Sequence, residues 1–483
     1  MIFRFQGCVF FSTYTIIQRG PTMLISFEVE NLLSFNEPVQ LSMVPLPKQR
    51  LHKDHVINPA NTRLFPLLRF AVIYGANAAG KSNLVRAMEL VRELIEDGTH
   101  GGGEIDCPRF KLVPERLLQP AQATFKFRIS DRQFAYRIAF DNERIWEERL
   151  DTISASTGKK DLVFQRHTED SHVTVDIGTH LVGKGKKKID RDFLSFVAQG
   201  TRPNQPFLTE ARERNVEALI DIHEWFASSL KVLWPTSQPV GIELQVERND
   251  EFREFLGKIL SDAGTGIDKI ETITKPIERA DIPGTVLKSL QDDLLRRTSK
   301  SENAFLIIGG PLGDHHLVSK TEEGELHIHK LIALRGYDQD SVAFDLDELS
   351  DGARRLIELS ASLWELLKGK KDRIIVIDEV DRSLHPYLLE MFIRLYMDHD
   401  EDPSNSQLII TTHQTNLLDL ELLRKDEVWF AEKRQDGSSD LYSLADFEPR
   451  HDKDIRKDYL LGRYGAIPYI GNYAALTQDQ GDS

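Results

Sequence analysis

The run Phe70-Ala-Val-Ile-Tyr74-Gly75-Ala-Asn77-Ala-Ala-Gly80-Lys81-Ser82-Asn83 decides how the rest of the chain is read. Its first five residues are apolar, which predicts a short buried strand. Gly75 to Ser82 match the spacing of a phosphate loop, two glycines with four residues between them followed by Lys and Ser. From Ser82 to Asp97 the apolar residues Leu84, Ala87, Met88, Val91 and Ile95 recur at helical spacing. Strand, glycine turn and helix in that order are the context the pattern requires. The glycines let the backbone turn tightly, so that its N–H groups converge on phosphate oxygens. The helix N-terminus adds partial positive charge. Lys81 would meet the β- and γ-phosphates of a bound ATP, and the Ser82 hydroxyl would ligate Mg²⁺. Gly75, Asn77, Gly80, Lys81, Ser82 and Asn83 are the candidate nucleotide-binding residues.

Three further segments carry chemistry. Arg373-Ile-Ile-Val-Ile-Asp378-Glu379 reads as a buried strand with two carboxylates at its C-terminal end, where ligands of open α/β sheets sit. Asp378 is the second candidate Mg²⁺ ligand, and Glu379 the group that orients and deprotonates an attacking water. Leu349-Ser350-Asp351-Gly352 opens an apolar helix about twenty-six residues before Asp378. Ser350 is a good helix cap, and a serine at a helix N-terminus is also a phosphate-binding device. Gln407-Leu-Ile-Ile-Thr-Thr-His413 ends a further strand on a histidine that could reach a γ-phosphate.

Outside these segments, Leu24–Val29 and Val39–Met43 alternate as strands around a turn at Asn31–Phe35. Ala123–Ile129, Gln133–Phe140 and Arg144–Leu150 predict an antiparallel meander. From roughly 185 to 300 the composition shifts towards charged helices, with Asn215–Leu230 and Asp250–Ala263 the clearest. Val318–Ile332 reads as a strand pair turning at Glu322–Gly324. Leu349–Leu367 and Pro386–Leu395 read as helices. No heptad repeat is sustained, which argues against a long coiled-coil arm. Strand–helix alternation at both ends implies one α/β domain split by an insertion. The expected divisions are an extension at 1–22, an N-terminal lobe at 23–184, a helical insertion at 185–332, a C-terminal lobe at 333–435 and a tail at 436–483.

The 483 residues exceed one ordinary core, and 40% hydrophobic with 28% charged composition fits a globular chain. A formal net charge of −15 speaks against a surface built for general nucleic-acid binding. Two cysteines, Cys8 and Cys107, lack metal-ligand spacing, and a reducing, cytoplasmic compartment is the simplest reading. No apolar run reaches the roughly 18 residues needed to span a membrane. Gly7–Ile17 is mildly apolar but interrupted by Ser12 and Thr13, so the folded domain is expected to begin at Met23.

Taken as a set and in this order, the four motifs resemble the ABC-type ATPase head of RecF, SMC proteins and the OLD family of phage-defence proteins. The phosphate loop resembles Walker A, and Asp378-Glu379 Walker B with its catalytic glutamate. Leu349–Gly352 resembles the ABC signature, with Asp351 where many members carry glycine. His413 resembles the switch histidine. Asp378-Glu-Val-Asp-Arg-Ser-Leu384-His385-Pro386 is similar to the OLD-type Asp-Glu-Pro-Glu…Leu-His-Pro segment, with Val380 in place of proline. Val29-Glu-Asn-Leu-Leu-Ser-Phe35 is similar to the first hairpin of these proteins. The resemblance covers about 23–150 and 340–435. It implies an α/β fold: a RecF/SMC-like P-loop head with an antiparallel β subdomain and an inserted, mainly helical subdomain.

The resemblance further implies heads that dimerise, with Ser350 and Gly352 of one chain completing the ATP site of another. Self-association into a homo-oligomer follows. The glutamine-bearing loop of such heads has three candidates, Gln119, Gln122 and Gln133. OLD nucleases carry a Toprim domain after the ATPase. The seventy residues after His413 are short for one, and Asp446, Glu448, Asp452 and Asp454 read better as a solvated acidic loop. The chain therefore resembles stand-alone ATPase subunits of anti-phage systems of the PARIS and Rlo/AbiL-like types. These act with a separately encoded effector, a Toprim-type nuclease among the candidates, and a phage-derived trigger. Tyr459–Pro468 is similar to the tail of that group and is expected to dock on the head. A RecF-like DNA-repair or chromosome-maintenance ATPase with DNA as ligand is the alternative. The basic run Lys184–Lys188 with Arg191 could touch DNA phosphates or an acidic protein, though most such runs are solvated loops.

Overall fold

The computed structural model describes residues 21–47, 49, 51–99, 103–169, 172–179, 181, 191–237, 241–276, 305–309, 315–320, 325–336, 341–369, 372–398, 405–450 and 453–468. The expectations for Lys184–Lys188, for the turn at Glu322–Gly324, for Asp452 and for all of 1–20 lie outside them. The chain forms two compact units. Among the described residues, the larger comprises those within 21–235, 366–381 and 389–468, and the smaller those within 236–365 and 382–388.

Two large sheets and a short two-stranded ribbon of 56–57 with 67–68 build the larger unit. One is antiparallel and seven-stranded, in the order 172–177, 160–169, 145–153, 132–140, 121–129, 22–30 and 39–42. The expected meander is its middle. Two strands beyond it, Lys160–Glu169 and His172–Ile177, extend the sheet further than the alternation suggested. The second sheet is six-stranded, in the order 230–233, 374–377, 407–411, 70–74, 428–433 and 439–443. It is parallel except for its last strand. Strands 70–74, 374–377 and 407–411 are buried throughout, which is why they read as continuous apolar runs.

One apolar cluster joins these elements. It draws Phe27, Phe125 and Phe127 from the antiparallel sheet, Ile73, Ile374 and Ile409 from the parallel one, and Leu84, Met88 and Val91 from the helix Lys81–Asp97. Trp225 stacks on Phe127 with ring centroids 4.3 Å apart, and Phe226 meets Phe125 edge-on at 5.3 Å. Those two rings explain a difference from the expected divisions. The helices Arg191–Gly200, Phe207–Glu213 and Glu217–Glu224 fall in the larger unit, not in an insertion. Their charged outer faces hid an apolar inner one. Leu230–Leu233 then enters the parallel sheet beside Ile374–Ile377.

The smaller unit carries the helices Ile242–Arg248 and Asp250–Asp262, and the start of the helix Asp351–Lys368. Phe252 and Phe255 pack on Trp364 at 5.6 and 5.2 Å. It also holds a five-stranded antiparallel sheet of 269–276, 305–309, 315–320, 326–335 and 342–345. The expected strand pair is its centre, with Val318 opposite Ile328. The sheet as a whole is larger than the sequence indicated, because its outer strands are short or half-exposed and carry weak alternation.

Candidate active site

The strand Phe70–Tyr74 runs parallel between Gln407–Thr411 and Val428–Lys433. It delivers the chain to the loop 75–80, and the helix Lys81–Asp97 starts directly after. All five residues predicted for the apolar face of that helix are buried. The loop is held tightly. A Cβ on Gly75 would lie 2.4 Å from the Ala431 carbonyl oxygen. Gly80 has φ of 114°, and a Cβ there would lie 2.3 Å from Ser439 Oγ. Asn77 and Ala78 form the exposed crest, with Ala78 at φ 62°. Ser82 and Asn83 are half-buried in the first helical turn. The N–H groups of such a turn have no partner within the helix and face whatever lies before it.

Lys81 is only 5% exposed. Its Nζ donates to the Gly75 oxygen at 2.9 Å and the Ala76 oxygen at 3.2 Å, so the ammonium is folded over the loop. Burial pushes its pKa down to about 8, against the pull of Asp378, Asp381 and Glu379.

The carboxylates arrive on the neighbouring strand. Ile374–Ile377 pairs with Gln407–Ile410, and that strand pairs with Phe70–Ile73, so three C-terminal strand ends lie side by side. Asp378 is 2% exposed and accepts a hydrogen bond from Thr411 Oγ1 at 2.6 Å. Glu379 is half-buried and has φ of 43°. Its N–H donates to Thr411 Oγ1 at 2.8 Å.

His413 follows two residues after that threonine. Its backbone N–H donates to both Asp381 carboxylate oxygens at 3.4 Å, a long and shared contact. Although the residue reaches solvent, partial desolvation and then the charge of Lys81 hold the imidazole below its ordinary range. Asp381, Glu379 and Asp378 pull the other way. Lys81, Asp378, Glu379 and His413 therefore share one electrostatic neighbourhood. Two members of it went unread in the sequence, Asp381 and Thr411. Both stood inside quoted motifs, but nothing in the spacing marked either side chain.

Ser350 and Gly352 belong to the smaller unit. Ser350 is exposed, and its Oγ accepts the Ala353 N–H at 3.3 Å, so it does cap the helix. A Cβ on Gly352 would lie 2.8 Å from the Ser383 carbonyl oxygen. Of the three candidate glutamines, Gln122 accepts from Arg137 at 2.5 Å and Gln119 Oε1 accepts from Arg116 at 2.9 Å. Gln133 is buried in the strand Arg132–Phe140. No bond ties any of them to the phosphate loop among the described residues.

The tail does pack on the larger unit. The Tyr459 ring stacks on Phe430 at 5.4 Å and lies 6.2 Å from Tyr74, and Tyr442 Oη donates to the Tyr464 oxygen at 2.8 Å. Asp454 caps the short helix Ile455–Leu460, and Asp446 accepts the Ser443 N–H. Among the described residues no group of three His, Cys, Asp or Glu side chains is placed to hold a metal. A Mg²⁺ that takes most of its ligands from phosphate and water needs fewer, and one hydroxyl with one carboxylate is the donor set such an ion uses. The site residues fit that group. No helix among the described residues is long and apolar enough to cross a membrane.

No curated protein matches the chain. Among solved structures it is similar to the SMC head domain from Thermotoga maritima, at 12% identity, with a TM-score of 0.33, over 87% of this chain and 98% of that one. Residues 70–419 match the AAA_21 family, described as "AAA domain, putative AbiEii toxin, Type IV TA system". That span runs from the phosphate-loop strand to just past His413 and takes in well over half of the chain, which therefore belongs to the AAA_21 family of P-loop ATPase-type domains.

Proposed function

We propose that this protein binds MgATP at the C-terminal ends of its parallel strands and hydrolyses it, and that it uses the cycle as a switch on assembly. The observation that carries the reading is the convergence of Lys81, Asp378, Glu379 and His413. Three separate strands bring them there, and they act on one another electrostatically. In this reading the N–H groups at residues 80–82 and the Lys81 ammonium bind the phosphates. Ser82 and Asp378 would hold Mg²⁺, which supplies charge neutralisation to the β- and γ-phosphate oxygens. Glu379 orients a water in line with the γ-phosphate and takes its proton. His413, held below its ordinary range, is mostly neutral at pH 7 and offers a ring N–H to the same phosphate.

Ser350 and Gly352 would complete the site of a second copy, making the nucleotide a link between two heads. The biological setting we propose is a sensor or scaffold subunit of an anti-phage defence complex with a separately encoded effector. The motif resemblance supports it, and the family's description, "putative AbiEii toxin, Type IV TA system", is compatible with a defence setting. The test is phosphate release by the purified protein with ATP and Mg²⁺. Slow turnover that Lys81→Ala abolishes is expected, and release unchanged by that substitution would overturn the assignment.

A further inference from the structure

We infer that Thr411 is the positioning residue for the carboxylate pair, a role that rests on the ATPase reading above. Thr411 ends the strand Gln407–Thr411 and is fully buried. Its Oγ1 donates to Asp378 Oδ1 at 2.6 Å and accepts the Glu379 N–H at 2.8 Å. Its carbonyl oxygen accepts the Val380 N–H at 3.1 Å. One residue therefore holds three consecutive positions of the neighbouring strand end.

The position it holds is a strained one. Glu379 sits at φ 43°, in the left-handed region that residues with a side chain avoid. Such a conformation persists only where the surroundings over-determine it. Here the Thr411 hydroxyl engages the residue on both sides of the Asp378–Glu379 peptide link. Its single proton points at Asp378, and its lone pair receives Glu379. Strand neighbours Leu408, Ile409 and Ile410 are all apolar and fully buried, so packing alone would accept valine at 411. The hydroxyl is what valine lacks. The adjacent Thr412 is equally buried, but its Oγ1 accepts the Gln414 N–H at 3.0 Å, on the histidine side.

Thr411→Val keeps the shape and removes the hydroxyl, and Thr411→Ser keeps the hydroxyl. Three readouts separate positioning from mere packing. In the nucleotide-free protein, amide hydrogen exchange of 378–381 is expected to speed up in Thr411→Val and to stay near the parent in Thr411→Ser. Equilibrium binding of a fluorescent ATP analogue without Mg²⁺ is expected to stay within about threefold in both. With Mg²⁺, kcat is expected to fall about 100-fold in Thr411→Val, the cost of a displaced catalytic group, and to return in Thr411→Ser. Equal loss in both variants, or parent-like exchange and kcat in Thr411→Val, overturns the inference. If Thr411→Val fails to fold, Thr411→Ser decides by itself: retained exchange protection and kcat support the role, and their loss despite the hydroxyl removes it. A parent protein without Lys81-dependent ATPase would sink the functional reading instead, and the exchange arm would still report on Thr411.

Discussion

Gly80 and Ser439 stand 359 positions apart in the chain, yet a single methyl group would not fit between them. A Cβ on Gly80 would lie 2.3 Å from Ser439 Oγ and 2.6 Å from its Cβ, and Gly80 also holds φ of 114°. Ser439 in turn donates to Ser34 Oγ at 2.8 Å. The phosphate loop is thus closed from behind by the last strand of the parallel sheet and the first hairpin of the antiparallel one.

Gly80→Ala is expected to lower stability by at least about 2 kcal/mol and to abolish nucleotide binding, since both the backbone angle and the contact oppose it. Adding Ser439→Gly removes the contact but not the angle. The double variant should recover part of the stability in denaturant melts. A single variant as stable as the parent would contradict the close approach.

Lys81 lies buried with its pKa lowered to about 8 by desolvation. Between about 8 and its ordinary value near 10.5 the unfolded chain binds more protons than the native state. Stability of the nucleotide-free protein should therefore rise with pH across that window through this group. Lys81→Met should stabilise the nucleotide-free protein by about 1–2 kcal/mol near neutral pH, allowing for two lost hydrogen bonds, while eliminating ATP binding. Urea melts at pH 7 and 9.5 check the sign, because the gap between the proteins should narrow at the higher pH.

Glu379→Gln preserves shape and removes the base. Turnover is expected to fall by a factor of about 10²–10⁴ while ATP affinity is kept. Trapped nucleotide should then hold two copies together, seen as a mass increase in ATP by light scattering. Ser350→Arg added to this variant should return it to the smaller species. Wild-type turnover by Glu379→Gln would remove Glu379 from its role.

Glu148 is buried with Arg166 and receives the Tyr136 hydroxyl at 3.0 Å and the N–H groups of Phe207 and Leu208 at 2.6 and 3.0 Å. Arg166 in turn donates to the carbonyls of Ile145, Arg202 and Pro203. This network ties the segment 202–208 to the antiparallel sheet. Glu148→Ala leaves a buried cation without its counter-charge and is expected to cost about 3–5 kcal/mol. Glu148→Gln should cost less. Chemical denaturation of both variants measures the difference.

The elements of the candidate site were legible where chemistry is local. Gly75 to Ser82 need only one turn and one helix start, and Asp378-Glu379 need only the end of one buried strand. His413 could be picked out because a strand pattern ended on it. Asp381 and Thr411 could not, because each acquires its role from a neighbour about thirty residues away. The helices at 191–229 were legible as helices but not by their place, since charged outer faces concealed Trp225 and Phe226.

The linear order of residues sufficed for the fold class, the phosphate loop and the carboxylate pair, because each depends on interactions within one or two elements. Only the folded chain decided which strands lie side by side, which helices share the ATPase core and which hydroxyl holds Asp378 and Glu379. Those outcomes depend on burial and on contacts between segments hundreds of residues apart, and no local pattern encodes a partner at that separation.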